Sequence, residues 1–229
     1  MRLQKMVRNE VGKFPFITPD EMEQITQNIL HDYGFDFAKK NYPEAIPIDE
    51  IIEFHFGLDI QWDRIDHFDT SGLVMAAIIP RDKKIIMNES CKELFEEKIG
   101  TMNFTMAHEL GHWVLHVNDK ENLQTQMDFN DSETFFCRSW SKKPREEYQA
   151  DMFAGALLMP KPLMQKVISN LKAQGKIQMK QLYWLAPLFK VSISALTVRL
   201  KQLDLLYIDA DGNIFDSRSE SQGQIILDI

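Results

Sequence analysis

Residues 104–116 read FTMAHELGHWVLH, and inside them His108-Glu109-Leu110-Gly111-His112 forms an H-E-x-x-H. An α-helix turns about 100° per residue, so side chains four apart share a face. A helix here presents the His108 and His112 imidazoles to one point, which suits two of the four positions around a tetrahedral Zn²⁺. Glu109 is rotated off that face by one residue. It is badly placed to bind the same ion, but it can reach a water beside it, where a general base belongs. Chance also produces this five-residue pattern, so a third ligand has to be found elsewhere.

Downstream lies Arg145-Glu146-Glu147-Tyr148-Gln149-Ala150-Asp151-Met152-Phe153-Ala154, followed by GALLMP. Pro144 suits the first turn of a helix and Pro160 its end. Glu147 and Asp151 fall on one face of that helix, flanked by Ala150 and Ala154, whose small side chains permit a close approach to the first helix. Glu147 is the candidate third ligand. Two neutral imidazoles and one carboxylate leave a positive metal with an open position for water. Asp151, one turn on, can accept the free N–H of a ligand histidine and fix its tautomer. The plainer alternative is an amphipathic helix whose acids face solvent.

The two segments FTMAHELGHWVLH and EYQADMFAGALLMP, in this order, resemble the ImmA/IrrE family of bacterial metallopeptidases. That family pairs an H-E-x-x-H helix with E-x-x-A-[N or D]-x-F-A and then L-L-M-P. The resemblance extends over roughly residues 45–215. It implies that His108, His112 and Glu147 are metal ligands, that Glu109 is the catalytic base, and that the cofactor is Zn²⁺, with Mn²⁺ as another divalent candidate. A further histidine often follows the motif, matched here by His116, and a cysteine similar to Cys137 also occurs. The resemblance further implies a protein substrate, a helix-turn-helix repressor, whose cleavage derepresses mobile-element or stress genes.

The chain has 229 residues, 44% apolar, enough for a substantial core. Its net charge of −8 argues against non-specific nucleic-acid binding by the chain as a whole. No apolar run is long enough for a membrane span, and the start, MRLQKMVRNEVGKF, lacks a signal peptide's apolar stretch. Cys91 and Cys137 make no disulfide framework. The expected compartment is the cytoplasm, with both thiols reduced.

Other elements must position the motif. Thr18-Pro19-Asp20-Glu21 is a helix start with a capping box, and Gly34 is a stop. His31 on that helix reads as a surface residue. Asp49–His55 reads as a short helix, Leu58–Trp62 as a strand, and Ser71–Ile79 and Lys84–Asn88 as strands joined by a turn at Pro80-Arg81-Asp82. A strand beside the cleft can lend its edge to an extended substrate or serve the sheet alone. Residues 117–143 read as polar loops interrupted by Phe135-Phe136-Cys137-Arg138. Cys137 is a candidate for a fourth ligand that holds the enzyme latent. Tyr148, Arg138 and His67 are unassigned candidates for an oxyanion donor.

Residues 161–205 hold eight Lys or Arg and one acid, Asp204. Gln181–Phe189 and Ile193–Leu206 read as two helices around Val191-Ser192, a helix-turn-helix pattern. DNA contact is one reading. Packing on the catalytic half is favoured, since Leu196, Val198, Leu200 and Leu203 look like packing residues. Tyr207-Ile208 and Ile214-Phe215 suggest a terminal hairpin around Asp211-Gly212-Asn213, followed by the tail SRSESQGQIILDI.

The expected fold is α+β: a minimal zincin-like metallopeptidase core, with a small β-sheet from the first ninety residues packed on helices. Residues 1–160 form the metallopeptidase domain and 161–229 a helical, helix-turn-helix-like extension packed on it. Two rivals remain, a DNA-binding regulator with a structural zinc and a degenerate peptidase used as an interaction module. Glu109 speaks against the second, because a purely structural site has no use for that carboxylate.

Overall fold

The computed structural model describes residues 16–40, 42–68, 73–117, 135–136, 145–209 and 211–216. Helix α1 (Pro19–Tyr33) begins where Thr18 and Glu21 cap each other. The Thr18 N–H donates to Glu21 Oε2 at 2.8 Å, and the Glu21 N–H donates to Thr18 Oγ1 at 3.3 Å. These bonds satisfy backbone donors that the first helical turn leaves open. Gly34 ends the helix at φ +98°, a conformation that a Cβ disfavours. Helix α2 (Ile48–Glu50) continues into a wider turn over Ile51–His55 and buries Ile48, Ile51 and Ile52.

Four strands follow: β1 (Asp59–Asp63), β2 (Ala76–Ile79), β3 (Lys84–Asn88) and β4 (Phe135–Phe136), in the spatial order β1-β3-β2-β4. β1 runs parallel to β3, while β2 runs antiparallel to β3 and β4. The central position of β3 explains its near-continuous apolar run, since Ile85, Ile86 and Met87 are all buried. It also removes β3 as a free edge for a substrate, because both of its sides are already paired. The sheet departs from expectation in two respects: β2 covers only Ala76–Ile79 of the expected Ser71–Ile79, residues 73–75 lying outside any strand, and a further strand is added. Its fourth strand comes from outside the first ninety residues, where Phe135 and Phe136 pair with Ile78 and Ala77. Two residues are too few to show a strand period, so partner geometry alone defines this strand.

The helical half starts with α3 (Lys92–Glu97), which was not distinguished in the sequence, and α4 (Ile99–His116), which carries the H-E-x-x-H. Helix α5 (Arg145–Leu158) crosses α4 at Gly111. A Cβ on Gly111 would lie 3.1 Å from the Ala150 Cα, so two small residues permit the close crossing. The chain continues through α6 (Lys161–Ala173), α7 (Met179–Leu188) and α8 (Ile193–Gln202) to a hairpin of β5 (Tyr207–Ile208) and β6 (Ile214–Phe215). The molecule is α+β, mostly helical with a small sheet, consistent with a minimal zincin-like core plus helices. One hydrophobic cluster runs from Ile17 to Ile214 and includes residues of both the sheet and the helices.

Helices α7 and α8 form the expected helical pair, and Ser192 Oγ caps α8 by accepting from the Ala195 N–H at 3.1 Å. Leu196 and Leu200 are buried as read, but Val198 is 54% exposed. Helical spacing explains the difference: Val198 lies two residues from each, on the opposite side of α8. Arg199 is the buried residue between them. Its Nε donates to the Met159 carbonyl at 3.0 Å, and its guanidinium forks onto Glu23 at 2.6 and 2.9 Å. The fork fits a carboxylate in two parallel bonds and joins α8 to α1 and to the end of α5. The α7–α8 turn rests on the first turn of α4. There Asn103 Nδ2 donates to the Lys190 carbonyl at 3.1 Å, and a Cβ on Gly100 would meet the Val191 carbonyl carbon at 2.4 Å. Lys161 and Lys172 of the basic stretch face Asp20 and Asp216. No helix among the described residues is long and apolar enough to cross a membrane. Cys137, Arg138, Pro144 and the tail 217–229 lie outside the described residues.

Candidate metal centre

The helical periods of α4 and α5 bring the centre together. His108, Glu109 and His112 are completely buried on α4, and Glu147 is buried on α5. His108 Nε2 and His112 Nε2 stand 3.0 Å apart. Glu147 Oε1 lies 3.3 Å from His112 Nε2, and Glu147 Oε2 lies 3.4 Å from His108 Nε2. One ligand atom from each of the three residues falls within 4.8 Å of the others, a group able to hold a metal ion.

The outer imidazole nitrogens have their own partners. His108 Nδ1 lies 3.0 Å from Asp151 Oδ1. His112 Nδ1 lies 3.1 Å from His116 Nδ1, and His116 Nε2 lies 2.9 Å from Gln149 Oε1. Burial holds the His112 and His116 imidazoles below the usual histidine range, His116 at about 4, so both are neutral near pH 7. Sequence reasoning singled out Asp151 and noted His116 without a role. It missed Gln149, which sits two residues from Glu147, off the spacing that marked Glu147 and Asp151 as partners.

Charges in the centre oppose one another. Burial works to raise the Glu147 carboxyl, but the two imidazoles beside it hold it down at about 2. Burial pushes Glu109 up to about 8, and the Glu147 charge adds to the rise against the pull of His108 and the Ile78 backbone. Neither Glu109 oxygen has a well-formed hydrogen bond among the described residues, and Glu147 Oε2 has only the long 3.4 Å approach to His108 Nε2. A buried carboxylate with no donor is costly. A dication among His108, His112 and Glu147 answers both needs, since it satisfies the three facing acceptors and favours the ionised form of the carboxylate beside it. The donor set of two nitrogens and one carboxylate fits a metal ion.

Residues 98–201 match the family model of the IrrE N-terminal-like domain, Peptidase_M78. This segment is similar to the domain of that peptidase family. The IrrE-like match starts at α4 and ends within α8, so it covers the whole candidate centre. It is narrower than the resemblance over residues 45–215 and leaves out the first three strands. Sheet strands need only apolar alternation, which many sequences satisfy, whereas the IrrE-like helices carry type-specific residues. No curated protein matches the chain.

The other candidates raised by the sequence are placed as follows. Tyr148 is 56% exposed. His67 packs edge-on against Phe68 in the Asp66–Phe68 turn. His31 is exposed at the end of α1, as expected of a surface residue. Cys91 is buried, as expected of core filler. Cys137 and Arg138 fall outside the described residues.

Proposed function

We propose that the chain is a zinc-dependent endopeptidase of the cytoplasm that cleaves a protein substrate, a helix-turn-helix repressor. The observation that supports it most is the convergence of His108, His112 and Glu147 beside a buried Glu109 carboxylate with no well-formed hydrogen bond among the described residues. In this reading His108, His112 and Glu147 hold the metal, and Asp151 orients His108. A zinc ion held there supplies Lewis acidity, bringing a water's pKa toward neutrality and polarising the peptide carbonyl. Glu109 takes the proton from the attacking water and delivers it to the leaving nitrogen. Its burial excludes bulk water from that transfer, and its position off the ligand face leaves the carboxylate free for it. The repressor as substrate, and derepression as outcome, rest on the family resemblance.

The test is Glu109→Gln. The amide nearly preserves shape but cannot accept the proton. Zinc content should remain while repressor cleavage falls by about 10²–10⁴-fold. Zinc retained with cleavage unchanged would exclude Glu109 as the base. Wild type that holds zinc and cuts no repressor-like protein encoded beside its gene would favour an interaction module. Tight, sequence-selective DNA binding at physiological salt would favour the regulator reading, since contacts to phosphate alone weaken steeply with salt.

A further inference from the structure

We propose that His116 and Gln149 are positioning residues that fix the tautomer of His112, so that its Nε2 lone pair faces the metal. The inference rests on the metal-centre reading above. It begins from an asymmetry between the two histidines. His108 meets a carboxylate, Asp151 Oδ1, at 3.0 Å, and a carboxylate only accepts. The proton of a neutral His108 therefore sits on Nδ1, leaving Nε2 as a lone pair. His112 is held differently. Its Nδ1 meets another imidazole nitrogen, His116 Nδ1, at 3.1 Å. Two imidazole nitrogens in contact leave the direction of the bond undetermined, because either can donate.

Gln149 breaks the tie. Its Oε1, an acceptor, lies 2.9 Å from His116 Nε2. His116 must then carry its proton on Nε2 and present a lone pair at Nδ1. That lone pair accepts the His112 Nδ1–H, and His112 Nε2 is left unprotonated, 3.3 Å from Glu147 Oε1. The opposite direction, with the Gln149 amide donating, would put a proton on His112 Nε2 and block ligation. His116 and Gln149 are both buried, so water does not compete for either bond. His116 lies one turn beyond His112 on α4, and Gln149 lies one residue before Ala150, where α5 crosses α4. The crossing that brings Glu147 to the centre therefore also delivers Gln149 to His116.

The experiment measures zinc affinity by chelator competition, together with ¹⁵N-detected NMR of the His112 ring in the metal-free protein. The full chain is used as wild type, His116→Phe, Gln149→Leu and Gln149→Glu. Gln149→Leu and His116→Phe should each weaken zinc binding by about 10–100-fold, the usual cost of losing an outer partner of a ligand histidine. Gln149→Glu, an acceptor only, should stay within about threefold of wild type, a rescue that a mere packing role does not predict. The wild-type spectrum should show His112 protonated at Nδ1, and Gln149→Leu should mix the two tautomers. His112 protonated at Nε2 in wild type overturns the proposal. So does wild-type zinc affinity in Gln149→Leu, or a loss in Gln149→Glu as large as in Gln149→Leu. A wild type that binds no divalent metal overturns the metal-centre reading and the relay together, which separates that failure from the others.

Discussion

Asp151 Oδ1 lies 3.0 Å from His108 Nδ1, one helical turn beyond the Glu147 carboxylate that meets the Nε2 of the same ring. A single face of α5 thus engages both edges of one imidazole. Removing Asp151 should leave the ligand in place but free to rotate or change tautomer. Asp151→Ala should weaken zinc binding by about 10–100-fold, measured by chelator competition. An unchanged affinity would mean that Asp151 is merely a partly exposed helix acid.

The centre should contribute to stability when loaded. A ligand that binds only the folded state stabilises by about 2.7 kcal/mol at 100 times its dissociation constant. Wild type should therefore lose several degrees of Tm on chelation, and His108→Ala, His112→Ala and Glu147→Ala should bind little zinc and show no such loss. Full zinc content in Glu147→Ala would remove Glu147 from the ligand set and leave Glu146 or Asp151 to supply the carboxylate.

Gly100 allows α4 to meet the α7–α8 turn. A Cβ at this position would meet backbone, the Val191 carbonyl carbon at 2.4 Å and the Ser192 nitrogen at 2.6 Å, and backbone cannot swing away as a side chain can. Gly100→Ala should cost about 1–3 kcal/mol despite the better helix propensity of alanine. Denaturant unfolding checks it. A gain in stability would show that the turn yields at no cost.

Protonation of His116 gives a pH dependence with a definite sign. Its pKa is about 4 in the folded protein, through burial, against about 6.5 for a free histidine. The unfolded chain therefore binds a proton in this window that the folded chain refuses, so stability is full above pH 6.5 and falls as pH drops toward 4. In chelator, wild type should lose on the order of 2 kcal/mol between pH 7 and pH 5 from this group. His116→Phe should have a flatter profile over that range, read from urea midpoints. Equal slopes in the two proteins would show that the folded His116 accepts its proton freely.

The sequence by itself determined the chemistry-bearing face of α4, because four-residue spacing on a helix is a local property. His108, His112 and the offset of Glu109 follow from it, as do the Thr18–Glu21 cap and the Ser192 cap, each formed within three residues. The small residues Ala150 and Ala154 announced a close helix crossing, and Ala150 lies at that crossing, against Gly111. Only the tertiary structure decided which group meets which across it. Gln149 has no periodic relation to Glu147, so its bond to His116, thirty-three residues away, exists only once α5 lies across α4. The burial of Arg199 against Glu23 is of the same kind, since a basic residue in a basic stretch reads as solvated until a distant carboxylate is packed against it. The two residues of β4 become a strand only beside Ala77 and Ile78. Local periods fix what a segment presents. Hydrogen bonds between segments depend on register and crossing geometry, which arise from burying the shared core and are written in no single stretch of the chain.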